Sequence, residues 1–74
     1  MRKEVKDLDK LTIAERLKNL REQKNISREK AAKDLGISYS ALSAYEIGDR
    51  IPRDRIKVKI AEYYGTNVQA IFFN

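Results

Sequence analysis

The chain has 74 residues and no cysteine or histidine, so it forms one small domain without a disulfide framework, zinc finger or imidazole-based catalytic site. It has no apolar run long enough to span a membrane and no hydrophobic leader, so we expect a cytoplasmic protein. The formal net charge of +5 favours a polyanionic partner, of which nucleic acid is the commonest.

The N-terminal third of the chain predicts one helix. Apolar residues three and four positions apart indicate a helix from about 13 to 24. Thr12 and Glu15 form a capping box at its start, and Asn25 is a suitable residue for its C-terminal stop. Residues 1–11 mix charges without strong periodicity, so we expect an N-terminal arm there.

The next two predicted helices are short and follow each other through a single glycine. Ser27 and Ser38 are the expected N-caps. Gly36 and Gly48 follow the last turns, where a left-handed backbone conformation ends a helix. Ala32 is small enough to allow a close crossing of the two helices. This pattern is typical of a helix-turn-helix.

The last third of the chain predicts two more helices and no strand. A fourth helix is expected from about 53 to 64, after a loop marked by glycine and proline. Asn67 caps a short fifth helix over 68–72. The sequence therefore predicts an all-α, compact five-helix bundle, with 12–74 as the folded domain.

Four segments together resemble the phage repressor/Cro family of helix-turn-helix DNA-binding domains, also called the Xre family: RLKNLREQKNIS, REKAAKDLGIS, ALSAYEIGDRIPR and IAEYYGTNVQAIF. The resemblance covers about 13–72. It implies a lambda-repressor-like bundle of five helices, which agrees with the helices predicted from the residues. It also implies that the protein binds double-stranded DNA, with the third helix in the major groove. An enzyme is not expected, because so small a domain has no room for a substrate cleft.

The resemblance assigns base contacts to the outward positions of the third helix, which are Tyr39, Ser40, Ser43 and Ala44. None of them is Arg, Gln or Asn, the side chains that recognise guanine and adenine through two hydrogen bonds. We therefore expect readout by serine hydroxyls, by apolar contact with thymine methyl groups and by DNA shape. An ordinary solvated helix face is the alternative.

Positive charge lies on both sides of the helix-turn-helix. The formal charge is +3 over 1–24, −1 over 25–49 and +3 over 50–74. Basic side chains in the outer segments would contact phosphates on either side of the groove. The positions expected to contact phosphate are Arg28, where the family usually carries Gln, and Ser38, Gly48, Arg50 and Arg53.

Two further expectations come from the resemblance. Arg21 and Glu46 should form a structural ion pair between the first and third helices. Family domains often dimerise through their last two helices, so Ile71, Phe72 and Phe73 are expected at a homodimer interface. A simple apolar cap on the core is the alternative for these three residues.

The sequence thus predicts a sequence-specific, double-stranded-DNA-binding transcriptional regulator. We expect a repressor that acts as a homodimer on an inverted-repeat operator in a phage, a mobile element or a small bacterial operon. An antitoxin or protein-interaction module that uses the same fold to bind a partner protein is the alternative. No cofactor, metal or small-molecule ligand is expected in so small a domain.

Overall fold

The computed structural model describes residues 9–73, and this range contains five helices. They are α1 (Lys10–Gln23), α2 (Arg28–Leu35), α3 (Tyr39–Ile47), α4 (Asp54–Tyr63) and α5 (Val68–Phe72). The predicted all-α, five-helix fold is confirmed. Most of the predicted arm, residues 1–8, lies outside the described residues. Within residues 9–73, no helix is both long enough and apolar enough to cross a membrane.

The start of α1 differs from the prediction. Asp9, not Thr12, is the N-cap residue, and its carboxylate accepts a hydrogen bond of 2.9 Å from the Thr12 amide. This bond lowers the pKa of Asp9. A carboxylate is as good a capping acceptor as a hydroxyl, so the helix starts one turn earlier than the capping box indicated. Asn25, with φ of 58°, follows the helix end in the left-handed region, as expected.

The serine caps and glycine stops of the helix-turn-helix are confirmed. Ser27 Oγ accepts from the Lys30 amide at 3.1 Å, and Ser38 Oγ accepts from the Ala41 amide at 3.0 Å. Gly36 has φ of 72°, a conformation that costs a residue with a Cβ about 1–2 kcal/mol. The turn between α2 and α3 therefore has its shape fixed by local chemistry.

The core joins all five helices. α1 packs against α3 and α5, α2 packs against α3 and α4, and α4 packs against α5. Each fully buried large side chain contributes about 1.5–3 kcal/mol by leaving water. These side chains are Phe72, Ile13, Leu17, Leu42, Ile60 and Ile71. The core thus holds α3 by its inner face and leaves its outer face at the surface.

The prediction that Ile71 and Phe72 lie at a dimer interface is wrong. They are 1% and 0% exposed, because α5 directs both side chains into the shared core. Arg16 Nη1 also donates to the Ala70 carbonyl at 2.8 Å and so ties α5 to α1. Phe73 remains partly exposed, with its ring centre 5.1 Å from Lys57 Nζ.

Candidate nucleic-acid interface

The outer face of α3 carries three of the four predicted base-contacting residues. Tyr39 is 48% exposed, Ser40 is exposed and Ser43 is half-buried. Ser43 follows Ser40 by three positions, so the two hydroxyls lie on the same side of the helix. The face therefore presents two hydroxyl groups and an aromatic ring at its N-terminal end.

Ala44, the fourth predicted base contact, is mostly buried in the structure. Only 9% of the residue is exposed. The amides of Gly48, Asp49 and Arg50 all donate to the Ala44 carbonyl, with the Asp49 bond at 2.9 Å. The chain that leaves α3 thus folds back at this position.

The same turn contradicts the prediction that the Gly48 amide contacts phosphate. Gly48 has φ of 84° and directs its N–H back to the Ala44 carbonyl, as expected for a left-handed C-cap. A Cβ at Gly48 would lie 2.7 Å from Leu11 Cδ2, so the Leu11 side chain covers this glycine. The amide is already used within the fold and is not free for a ligand.

Glu46 is buried between two arginine side chains. Arg21 Nε donates to both carboxylate oxygens, at 3.1 and 2.9 Å, so the ion pair expected between α1 and α3 is present. Arg28 Nε donates to Oε1 at 3.0 Å. The hydrogen bonds to Glu46 raise the pKa of Arg21. With two cations and one anion, the cluster retains one positive charge.

Arg28 therefore has partners within the protein that the sequence analysis did not anticipate. Besides Glu46, its Nη1 donates to Ser43 Oγ at 3.4 Å, and its side chain is only 25% exposed. A phosphate contact by Arg28 would use the remaining N–H groups of the guanidinium. The contacts of Arg28 with Glu46 and Ser43 could not be predicted from residue spacing, because they depend on how closely the start of α2 approaches α3.

Two other predicted phosphate contacts lie on the surface after α3. Arg50 and Arg53 are exposed, and Arg53 occupies the N-cap position of α4 without capping it through its side chain. In the part of the chain that the structure describes, neither guanidinium takes part in a hydrogen bond or ion pair. Ser38 is also exposed, and its hydroxyl hydrogen remains available because Oγ acts as an acceptor in the cap.

One exposed apolar residue on this face was not among the predicted base contacts. Ile47 is 61% exposed and lies four positions after Ser43, on the same side of α3. Its spacing from Ser40 and Ser43 was the available signal. An exposed aliphatic group here is suited to contact with the methyl group of thymine.

Comparison with known proteins supports the same type of site. A helix-turn-helix family model, HTH_3, matches residues 17–71. An HTH-type transcriptional regulator from Methanocaldococcus jannaschii is 35% identical over 57 residues, which cover 77% of this chain and 86% of the relative. Both matches include α2, α3 and the turn between them.

Two solved structures share the fold. The restriction-modification controller protein C.AhdI from Aeromonas hydrophila has a TM-score of 0.77 and 26% identity, covering 84% of this chain and 94% of its own. An HTH_3 family transcriptional regulator from Vibrio cholerae has a TM-score of 0.75 and 32% identity, covering 84% of this chain and 35% of its own. The family match, the relatives and the exposed face of α3 agree. This chain belongs to the HTH_3 family of DNA-binding helix-turn-helix transcriptional regulators, which resemble the phage repressor and Cro proteins.

Proposed function

We propose that the protein is a sequence-specific repressor that binds an inverted-repeat operator in double-stranded DNA as a homodimer. The observation that carries this proposal is the exposed outer face of α3, with the unengaged Arg50 and Arg53 side chains following it. A protein of this size that covers a promoter represses by blocking polymerase. A phage, a mobile element or a small bacterial operon is the setting that we propose.

The base contacts that we propose come from four residues of α3. Ser40 and Ser43 offer hydroxyl groups that donate to or accept from base edges, and Tyr39 and Ile47 offer apolar surface. The described part of α3 has no side chain that forms paired hydrogen bonds to guanine or adenine. Sequence-dependent DNA shape therefore contributes more of the specificity than is usual for this fold.

The phosphate contacts that we propose come from groups at both ends of α3. Arg50 and Arg53 lie beyond its C-terminus, and the Ser38 hydroxyl lies at its N-terminus. Such contacts fix the position of the helix in the groove and do not distinguish sequences. They also make binding depend on salt, because each neutralised phosphate releases counterions.

The size of the contact surface supports the proposed dimer. One small module buries only about 600–1,000 Å² on DNA, at the low end for specific complexes. Two copies related by a two-fold axis would double this area and place their α3 helices about 34 Å apart on an inverted repeat. Phe73 is the residue of the predicted dimer surface that is still exposed, so we propose that it lies at the interface.

A selection from randomised double-stranded DNA at physiological salt tests the proposal. We expect enrichment of an inverted repeat whose half-sites are about one helical turn apart. The variant Ser40→Ala/Ser43→Ala should weaken this enrichment and keep its non-specific binding at low salt. The variant Arg55→Ala, altered at an exposed site on α4, is the control and should select the same repeat as the unmodified protein.

Two outcomes would overturn the proposal. The serine variant could select the same repeat with the same affinity, which would show that these hydroxyls do not contact bases. Alternatively, no sequence could be enriched by the unmodified protein. In that case the exposed face of α3 is better interpreted as a surface that binds a protein partner, as in an antitoxin or an interaction module.

A further inference from the structure

The contact between Arg28 and Ser43 places a guanidinium beside one of the two hydroxyls on the outer face of α3. Arg28 Nε donates to Glu46 Oε1 at 3.0 Å, and Arg28 Nη1 donates to Ser43 Oγ at 3.4 Å. One planar group thus bridges a buried carboxylate and a half-buried hydroxyl. These two acceptors lie three positions apart on α3, so they determine the orientation of the guanidinium.

The carboxylate that holds Arg28 is itself held in place. The Glu46 side chain is 0% exposed, and Arg21 donates to both of its oxygens. Arg21 Nη1 also donates to the Ile26 carbonyl at 2.8 Å, two residues before the start of α2. Glu46 therefore has little freedom to move, and the position of the Arg28 guanidinium is set by α1, α2 and α3 together.

This arrangement determines the direction of the Ser43 hydroxyl. A guanidinium has only N–H donors, so Ser43 Oγ must be the acceptor in this contact. The hydroxyl hydrogen is then directed away from Arg28. Within residues 9–73 no hydrogen bond donated by Ser43 Oγ is present, so its hydrogen is available at the surface. A serine without such a neighbour rotates freely and acts equally well as donor or acceptor.

We propose that Arg28 is a specificity-positioning residue that holds Ser43 as a hydrogen-bond donor toward the DNA bases. Acceptor atoms at the major-groove edge are purine N7, guanine O6 and thymine O4, whereas cytosine presents the N4 amino donor. Ser43 in this state donates its hydrogen to a base acceptor at the position that it contacts, whereas cytosine N4 has only the one lone pair of Oγ that Arg28 leaves unused. This inference rests on the proposed function, because it requires α3 to lie in the major groove.

The test measures affinity for all four base pairs at every position of the selected operator. In the unmodified protein one position should favour an acceptor over cytosine by about fivefold to tenfold, and Ser43→Ala should abolish this preference. Arg28→Gln should weaken the same preference and leave the other positions unchanged, because an amide both donates and accepts. The double variant should show no further loss at that position, since the two residues act as one unit.

The variant Arg28→Lys distinguishes the positioning of Ser43 from a contribution of Arg28 to the stability of the fold. Lysine keeps a positive charge beside Glu46, so the fold should be retained, but an ammonium does not share the planar geometry that spans both acceptors. We expect the thermal unfolding midpoint to stay close to that of the unmodified protein while the preference at the Ser43 position falls. A matching loss of preference in Arg28→Gln and Arg28→Lys would support the proposal.

The results that would contradict the positioning role of Arg28 differ from the result that would contradict the proposed function. If Arg28→Gln lowers affinity equally for all sequences and reduces the salt dependence, Arg28 is a phosphate contact and the positioning role is wrong. If Ser43→Ala alters the base preference and both Arg28 variants leave it intact, the hydroxyl orients itself without Arg28. If no variant or base substitution changes affinity, α3 does not contact bases, and the proposed function fails with the inference.

Discussion

Buried Glu46 shows at the scale of single residues how this small domain joins its helices. A buried carboxylate is unfavourable unless it is paired and hydrogen-bonded. Glu46 receives hydrogen bonds from Arg21 on α1 and Arg28 on α2, so its desolvation is compensated. The cluster contributes little net stability compared with an apolar core. Removing one partner is nevertheless destabilising, because it leaves a buried charge without full compensation.

We predict that Arg21→Met lowers the free energy of unfolding by about 3 kcal/mol, because Glu46 stays buried with one cation fewer. The double variant Arg21→Met/Glu46→Leu should recover part of this loss, since Arg28 is partly exposed and can turn toward water. Urea unfolding monitored by circular dichroism measures both values. If the double variant is instead less stable than Arg21→Met alone, this interpretation of the cluster is contradicted.

Tyr64 carries a buried hydroxyl that has no hydrogen-bond partner in the described part of the chain. An unsatisfied buried polar group costs about 1–3 kcal/mol. Tyr64→Phe should therefore stabilise the protein at neutral pH by about 1 kcal/mol. Tyr63→Phe is the matched control: its hydroxyl donates to Asp34 at 2.7 Å, so the same change there should destabilise. Equal effects of the two substitutions would show that the Tyr64 hydroxyl is satisfied.

The two tyrosines also predict how stability depends on alkaline pH. Burial raises the pKa of Tyr64 to about 12, and the charge of Glu46 adds to the effect. Burial and the bond to Asp34 likewise raise the pKa of Tyr63 to about 12. The unfolded chain ionises near pH 10 and the folded one near pH 12, so stability should be constant below pH 10 and fall between these values. Tyr64→Phe should make the fall shallower, and an unchanged slope would contradict the assignment.

At the scale of the helices, Ser38 combines a structural role with a proposed contact to DNA. Its Oγ caps α3 by accepting from the Ala41 amide. Alanine at an N-cap costs about 1 kcal/mol, whereas glycine costs only a few tenths. Ser38→Gly should therefore keep the stability of the fold but weaken DNA binding for all sequences. Ser38→Ala should lower both. If Ser38→Gly binds like the unmodified protein, the hydroxyl makes no phosphate contact.

Helix ends were largely predictable from the sequence because caps and stops are local. Ser27, Ser38 and Asn67 each cap the helix that the residues indicated. The start of α1 was misplaced since Asp9 and Thr12 are both capping residues within one turn, and spacing does not choose between them. The bounds of α4 shifted by only one residue at each end.

Features that depend on contacts between distant segments were not predictable in the same way. Burial of Phe72 depends on the docking of α5. The second arginine on Glu46 depends on the distance between α2 and α3. The pair of Arg21 and Glu46 was expected from resemblance to a family, not from the spacing of the residues.

At the scale of the whole molecule, the distribution of charge predicts the salt dependence of DNA binding. Arg50→Ala should weaken specific and non-specific binding alike and reduce the slope of log affinity against log salt by about one unit. Arg53→Ala should have a similar effect. Arg55→Ala removes the same charge on α4 and should change the slope less. Equal slopes for all three variants would mean that net charge, not a contact by Arg50, sets the affinity.

The proposed dimer makes a separate prediction about the surface around Phe73. Replacing this partly exposed ring by alanine should weaken self-association and lower cooperativity on the inverted repeat, while a single half-site is bound as before. Sedimentation equilibrium measures the association, and titration of half-site and full-site duplexes measures the cooperativity. A Phe73→Ala protein that dimerises normally would exclude this residue from the interface.

The central claim is that the outer face of α3 contacts bases in the major groove. The most direct measurement replaces single bases of the selected operator with analogues that lack only major-groove atoms: uracil for thymine, and 7-deazapurines for guanine and adenine. We predict that affinity falls about tenfold at a few positions in each half-site. Ser40→Ala/Ser43→Ala should abolish the effect of the 7-deazapurines, whereas the effect of uracil should remain because it reports on Tyr39 and Ile47. Full affinity for every substituted operator would contradict the claim and would place specificity in the minor groove or the DNA backbone.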